Sequence, residues 1–440
     1  MSTSEQIQSS EIATSSEPGR ANIGVEQTLP VSFPCRFCGT NVRHTFVDLG
    51  MSPLCESYLG VQQLNEMEPF YPLHVLVCEN CFLVQLQEYV SAESIFGEYA
   101  YFSSYSESWL AHAKAYTEKM IARFALGPKN QVVELASNDG YLLQYFVSAG
   151  IPTLGIEPAA NVAAVAVKKG VPTLVKFFNR ESAEELAAQG IKADLLLGNN
   201  VLAQVPNLNS FVAGMKILLK PNGVITMEFP HLIKLMEQGQ FDTIYHEHFS
   251  YFSLLATERI FSAHQLTLFD LEELPTHGGS LRIYACHTED RSKGLSARVL
   301  SVRAAEEATG LSRLDSYSSF AERTKETKYA LLEFLIHARR SGQQVAGYGA
   351  PGKGNTLLNY CGIRSDLVAY TVDRNPYKQS KFLPGSHIPI FPPERIRQTR
   401  PAYVLILPWN LKDEVMQQLA YIREWGGQFV VPIPRAKVYA

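Results

Sequence analysis

The chain has 440 residues, 46% of them hydrophobic and 19% charged, with a formal net charge of -4. That length exceeds one ordinary core, so two or three domains are expected, and the charge balance, with no long basic run, argues against a nucleic-acid or membrane-surface protein. No uninterrupted apolar run reaches the length of a bilayer span.

Residues 1 to 30 are rich in Ser, Glu and Thr without an apolar segment, and read as a disordered tail, not a signal peptide. Seven cysteines, an odd number, in a chain without a secretory signal point to a reduced, cytoplasmic protein. Two C-x-x-C knuckles follow the tail, Cys35-Arg-Phe-Cys38 and Cys78-Glu-Asn-Cys81. Each offers two thiolates from a tight turn, so a structural four-cysteine zinc site is expected, and the long loop between the pairs costs little extra to close. A redox reading needs one pair in a β-α-β setting, which is absent around these cysteines. Cys55 reads as a buried small hydrophobe.

Phe96 to Ser108 is dense in tyrosine and serine. Rings with polar tips suit the wall of a sugar or nucleotide pocket, and equally a hinge between two domains. Trp109 to Phe124 has the spacing of a helix leading into the next unit.

Gln131 to Glu157 organises the rest. An apolar strand, Val132 to Leu135, enters a loop of small residues, Ala136 to Gly140, and a helix follows with Leu142, Leu143, Phe146 and Val147 on one face. A second strand, Thr153 to Ile156, stops at Glu157, 17 residues past Gly140. This is the opening β-α-β unit of a doubly wound α/β sheet, with an acid placed to hold a ribose diol. The loop is not G-x-G-x-x-G and has no lysine, so an S-adenosylmethionine pocket fits it better than a phosphate cradle. Two further strands, Ala193 to Leu197 and Gly223 to Met227, end in Asn199-Asn200 and in Glu228, which puts a polar crescent on the same rim.

Tyr245-His-Glu-His248 lacks the spacing of a catalytic zinc motif. A tyrosine donor beside a histidine base oriented by a carboxylate is instead the outfit of an enolising site. His277-Gly-Gly-Ser-Leu-Arg282 lies between apolar stretches, so His277 and Arg282 either face substrate or flank a hairpin turn. Leu300 to Arg340 reads as helical. Gln344 to Tyr348 then opens a second β-α-β pattern, with Gly347, Gly349 and Gly352 spelling G-x-G-x-x-G, a strand over Leu367 to Val372, and Asp373 lying 21 residues past Gly352. Lys353 at the head of the helix suits the diphosphate of a substrate, with NAD as the rival ligand.

Together the two knuckles, E-L-A-S-N-D-G at 134–140, Y-H-E-H at 245–248, H-G-G-S-L-R at 277–282 and G-Y-G-A-P-G-K-G-N-T-L-L-N at 347–359 resemble the S-adenosylmethionine-dependent C-methyltransferases of nucleotide-deoxysugar biosynthesis. The resemblance implies a zinc-binding domain over 31–95, a class I methyltransferase domain over 96–300 and a C-terminal Rossmann-like substrate-binding domain over 301–440. It implies a dTDP-linked 4-keto sugar as substrate, S-adenosylmethionine and a structural zinc ion as cofactors, and a monomer or homodimer. By matching position, His248 is the general base and Glu247 its orienting carboxylate, and Tyr245 and Tyr99 line the sugar site. Glu134, Ala136, Asn138, Asp139, Gly140, Glu157, Asn199 and Asn200 hold the methyl donor; His277, Arg282, Lys353 and Asn355 face substrate; Cys35, Cys38, Cys78 and Cys81 bind zinc.

The sequence departs from the family pattern at Ala136, where glycine is usual, at Gln204, where histidine is common, at Cys55-Glu56 and at Ala350-Pro-Gly352. Ala136 and Gln204 leave open a non-catalytic binding protein on the same scaffold, and the unit at 347–373 leaves open an NAD-dependent oxidoreductase.

Overall fold

The computed structural model describes residues 32–97, 99 and 102–440. The tail at 1–30 and part of the tyrosine-rich stretch, Tyr101 included, lie outside them. Among the described residues no helix is long and apolar enough to cross a membrane.

The central unit is a seven-stranded sheet of β1 (Val132–Leu135), β2 (Thr153–Glu157), β3 (Thr173–Val175), β4 (Ala193–Asn199), β5 (Leu219–Pro230), β6 (Leu266–Leu274) and β7 (Ser280–His287), ordered β3-β2-β1-β4-β5-β7-β6. Every neighbouring pair is parallel except those made by β7, which runs antiparallel between β5 and β6. β1 is buried along its whole length, as its unbroken V-V-E-L run requires of a strand covered on both faces. The strand order reverses between β1 and β4, and the crevice outside the carboxyl ends there is where such sheets bind ligands.

The zinc module is less independent than its sequence implies. Its antiparallel sheet of His44–Ser52, Tyr71–Val77 and Val84–Leu86 takes its fourth strand, Ser250–Tyr251, from the segment just past His248. Its apolar residues are also shared out. Phe46, Val75 and Leu86 join a core with Leu331, Val345 and Leu405 of the C-terminal part, whereas Cys78, Cys81 and Leu83 pack with Leu196, Met227 and Phe252 of the central sheet.

The C-terminal sheet consists of β8 (Val345–Tyr348), β9 (Thr371–Val372), β10 (Ile390–Phe391), β11 (Tyr403–Ile406), β12 (Gln428–Val431) and β13 (Lys437–Tyr439), ordered β10-β9-β8-β11-β12-β13 and parallel except for β13. The strand expected from Leu367 shrinks to Thr371–Val372, because Leu367 and Val368 both donate to the Arg364 carbonyl and close a turn. The helical stretch resolves into Ala297–Thr309 and Asp315–Arg340, interrupted at Gly310 with φ +84°.

Candidate active site

The four cysteine sulfurs lie within 4.8 Å of one another, with Cys35–Cys81 at 3.6 Å and Cys38–Cys78 at 3.5 Å. A tetrahedral ion with Zn–S bonds of about 2.3 Å sets its ligand sulfurs about 3.8 Å apart, so the donor set fits zinc in both chemistry and size. Gln85 Nε2 donates to Cys35 Sγ at 3.1 Å, a support for the ligand from the strand that pairs with Ser250–Tyr251.

A cavity of about 460 Å³ lies where the three units meet, and Glu56, Tyr99, Asn138, Asn200, His248 and Lys353 are all on its wall. One stretch of the wall is the loop after β1. Ala136 and Asn138 adopt left-handed φ of +54° and +49°, which turns the chain sharply enough for the Asn138 N–H to donate to Glu157 Oε2 at 2.9 Å. Glu157 Oε1 accepts from the Ala159 N–H, also at 2.9 Å, and burial pushes this carboxyl up to about 7. A left-handed alanine is strained by its Cβ, so Ala136→Gly is expected to stabilise the fold by about 1 kcal/mol, readable as a raised Tm. An unchanged or lower Tm would remove strain as the account of this position.

Asn199 and Asn200 also line the cavity, and Asn200 Nδ2 donates to His277 Nε2 at 2.8 Å. Three residues assigned to the methyl donor do not line it. Glu134 is fully buried within β1, and burial raises its carboxyl well above the usual range. The Asp139 carboxylate is paired with Lys169 at 3.0 Å. Gly140, at φ +74°, is a packing position: a Cβ there would come within 3.0 Å of Val171 and 3.2 Å of Ala166.

His248 lines the same cavity, with its Nδ1 2.9 Å from the Thr243 carbonyl. A carbonyl only accepts, so the proton resides on Nδ1 and Nε2 keeps a lone pair. The ring lies against Tyr245, with centroids 4.1 Å apart, and burial pushes the imidazole down to about 4, so it is neutral at ordinary pH. Glu247 is not its orienting partner, which corrects the sequence reading. Adjacent residues diverge in this turn, and Glu247 accepts instead from Tyr99 Oη at 2.9 Å and from the Cys55 thiol at 3.4 Å. Burial pushes Glu247 up to about 7. His246 points into the zinc module, its Nε2 3.1 Å from the Pro72 carbonyl.

Of the four substrate positions, His277 and Lys353 line the cavity and Arg282 and Asn355 do not. Arg282 lies on the interior strand β7, where Glu228 at 2.6 Å and Glu272 at 3.2 Å neutralise it. Asn355 donates to the Cys55 carbonyl at 2.9 Å and ties the C-terminal helix Gly352–Cys361 to the zinc module. The dinucleotide fingerprint is filled from the same side. A Cβ on Gly352 would meet Cys55 Sγ at 2.8 Å, and the Asp373 carboxylate is taken by the N–H groups of Ala350 and Asn375 at 2.7 and 2.8 Å. Asp373 does not line the cavity, whereas Glu157, held by two backbone N–H groups in the same way, does.

Glu56, Lys378, Phe177 and Phe178 line the cavity without having been assigned to it. Glu56 and Lys378 form an ion pair at 3.3 Å. Glu56 stands at one of the departures from the family pattern, and Phe177 and Phe178 are adjacent phenylalanines just past the end of β3.

Residues 35–96, 109–271 and 275–434 match, respectively, the families described as a zinc binding domain, a methyltransferase domain and a C-methyltransferase C-terminal domain. The C-methyltransferase NovU of Streptomyces niveus is 36% identical over 404 residues, covering 92% of this chain and 96% of that protein. Among solved structures, the magnesium protoporphyrin IX methyltransferase of Synechocystis PCC 6803 with bound SAH is 13% identical, covering 40% of this chain and 83% of its own, with a TM-score of 0.32. A S-adenosylmethionine-dependent methyltransferase of Clostridium acetobutylicum ATCC 824 is 11% identical over 40% of this chain and 90% of its own, with a TM-score of 0.31. Both structural likenesses are too slight to carry an argument.

Proposed function

The chain belongs to the S-adenosylmethionine-dependent C-methyltransferase family, and from that premise we propose that it methylates the carbon beside the ketone of a nucleotide-linked 4-keto-deoxysugar through an enolate. The observation that carries the reading is the single cavity onto which both the Asn138–Glu157 loop and His248 open. A reacting carbon held there can meet a base and a methyl donor together, and holding reactants in such a geometry supplies a large part of a rate enhancement.

Bound S-adenosylmethionine supplies an electrophilic methyl group on a sulfonium. Glu157 is suited to accept hydrogen bonds from its ribose diol, and the left-handed turn at Ala136 and Asn138 brings backbone close enough to pack on it. His248 Nε2 takes the proton α to the ketone, while its Nδ1–H bond to Thr243 fixes ring and tautomer. Tyr245 and Tyr99 offer hydroxyls to the sugar, and Glu247 orients Tyr99.

Glu157 also makes affinity for the methyl donor pH-dependent. Its carboxyl titrates near 7, so below that pH it takes up a proton and accepts more weakly. Calorimetry is expected to show binding weakening as pH falls through 7. In Glu157→Gln it should be roughly 10- to 100-fold weaker and flat with pH; a pH-independent wild type would remove the carboxylate from ribose recognition.

The reaction is tested by incubating enzyme and S-adenosylmethionine with a panel of nucleotide 4-keto sugars. A gain of one methyl group on the sugar, seen by mass spectrometry, is expected. Methyl transfer to none of them, with the donor bound, would overturn the substrate class.

A further inference from the structure

We infer that Lys353, carried by the C-terminal domain, is the catalytic electrophile of the reaction: its ammonium binds the ketone oxygen and stabilises the enolate that His248 creates.

The helix Gly352–Cys361 is fastened to the catalytic loop itself. Thr356 Oγ1 donates to the Ile244 carbonyl at 2.9 Å, one residue beyond the Thr243 carbonyl that holds His248 and one before Tyr245. Trp409 Nε1 donates to Asp242 Oδ2 at 2.6 Å, and the Lys353 ammonium lies 5.0 Å from the Trp409 ring centroid. Asn410 Oδ1 accepts from Lys353 Nζ at 2.9 Å. Lys353 is therefore indexed to residues 242–248 from both sides, and it shares the cavity wall with His248, Tyr245 and His277.

The charges agree with that placement. Burial lowers the Lys353 ammonium below its ordinary range, and Asp242 acts in the opposite sense to keep the proton on. After burial, the same ammonium is among the influences that hold both His248 and His277 down. A cation on the same cavity wall as a neutral imidazole is what a weak base needs to remove a carbon-bound proton, because the developing oxyanion is stabilised where it forms.

The step balances without a further reactant. His248 Nε2 accepts the α-proton, the C–H electron pair forms the C=C bond, and the carbonyl π pair moves to oxygen, where a Lys353 N–H bonds to it. The oxygen's pair then returns to the carbonyl, the C=C pair forms the new bond to the donor's methyl carbon as the methyl carbon–sulfur pair stays with sulfur, and Lys353 keeps all its protons. The α-proton is lost from His248 to solvent.

The inference rests on the enolate reading above, and the experiment separates the two. Two variants are compared with wild type, Lys353→Met, which keeps the stem without the charge, and Lys353→Arg, which restores a charge. Without any sugar, the titration of His248 is followed by NMR. The other titratable groups around it are Tyr245 and Glu247 on its loop, Tyr251 on the following strand and His277 across the cavity. Lys353→Met is expected to raise the His248 midpoint and Lys353→Arg to restore it; an unmoved midpoint in a folded Lys353→Met protein overturns the inference whatever the substrate. With a sugar from the panel that wild type accepts, exchange of the α-hydrogen with deuterated solvent is then measured with S-adenosylhomocysteine in place of the donor. Lys353→Met is expected to lower exchange and kcat together by at least roughly 100-fold with little change in KM. A raised KM with unchanged exchange assigns the lysine to binding and overturns the inference alone, whereas no exchange in wild type overturns the enolate reading.

Discussion

His248→Ala is expected to lower kcat by roughly 10²- to 10⁴-fold, the range a positioned general base contributes, while leaving S-adenosylmethionine binding measurable by calorimetry. The separation follows from the contacts. His248 is held by the Thr243 carbonyl and the Tyr245 ring, whereas the Asn138–Glu157 contact is made by the loop after β1 and involves neither. The imidazole is neutral down to about pH 4, so with the methyl donor saturating, the acid limb that His248 itself sets on turnover is expected only as that pH is approached, separate from the loss of donor affinity that Glu157 brings near 7. Sign and range both matter here: a base whose pKa is lowered by burial stays competent over more of the acid range than a solvent-exposed histidine near 6.5. Near-normal turnover of the alanine variant would remove His248 from the mechanism.

How much of this site the sequence disclosed depends on whether each residue acts locally or across domains. The β1 loop and Glu157 were legible because a strand, a tight loop and an acid ending the next strand are one contiguous unit, and the chain folds them as that unit. His248 was legible as a cluster member, but its partner was not, since a main-chain carbonyl leaves no mark in a side-chain pattern. Glu247 was misread for a related reason. Neighbours in sequence suggest a shared task, yet the turn sends Glu247 toward Cys55 and Tyr99, and Cys55 lies 192 positions away. The G-x-G-x-x-G of the C-terminal unit meets its pattern, but Asp373 does not line the cavity and Cys55 packs against Gly352 at the mouth of the loop. Arg282 shows the same limit from the other side: a cation beside paired glycines advertises a binding site, and only the sheet order reveals two carboxylates waiting on neighbouring strands.

Loss of the zinc ion is expected to abolish methyl transfer outright, although no cysteine ligand lines the cavity. The coupling runs through backbone. Cys78 and Cys81 fix the turn that feeds Val84–Leu86, and that strand pairs with Ser250–Tyr251, two residues past His248. From the other knuckle, Arg36 donates to the Pro206 carbonyl at 3.0 Å and Asn209 donates to the Phe37 carbonyl at 2.9 Å, which anchors the cavity wall at Pro206 and Asn207. Structural zinc contributes about 10–16 kcal/mol in small finger peptides, as much as the whole stability of an ordinary domain, so no other contact in the module can replace it. Cys81→Ser, or wild type treated with a strong chelator, should therefore lose the metal, melt at lower temperature and transfer no methyl groups, and restoring zinc to the chelated wild type should restore activity. Metal content by atomic emission, Tm and turnover, measured on one sample, decide the matter. A metal-free protein that keeps both its Tm and its turnover would show that the strand shared between Val84–Leu86 and Ser250–Tyr251 holds the catalytic loop without help from the four cysteines.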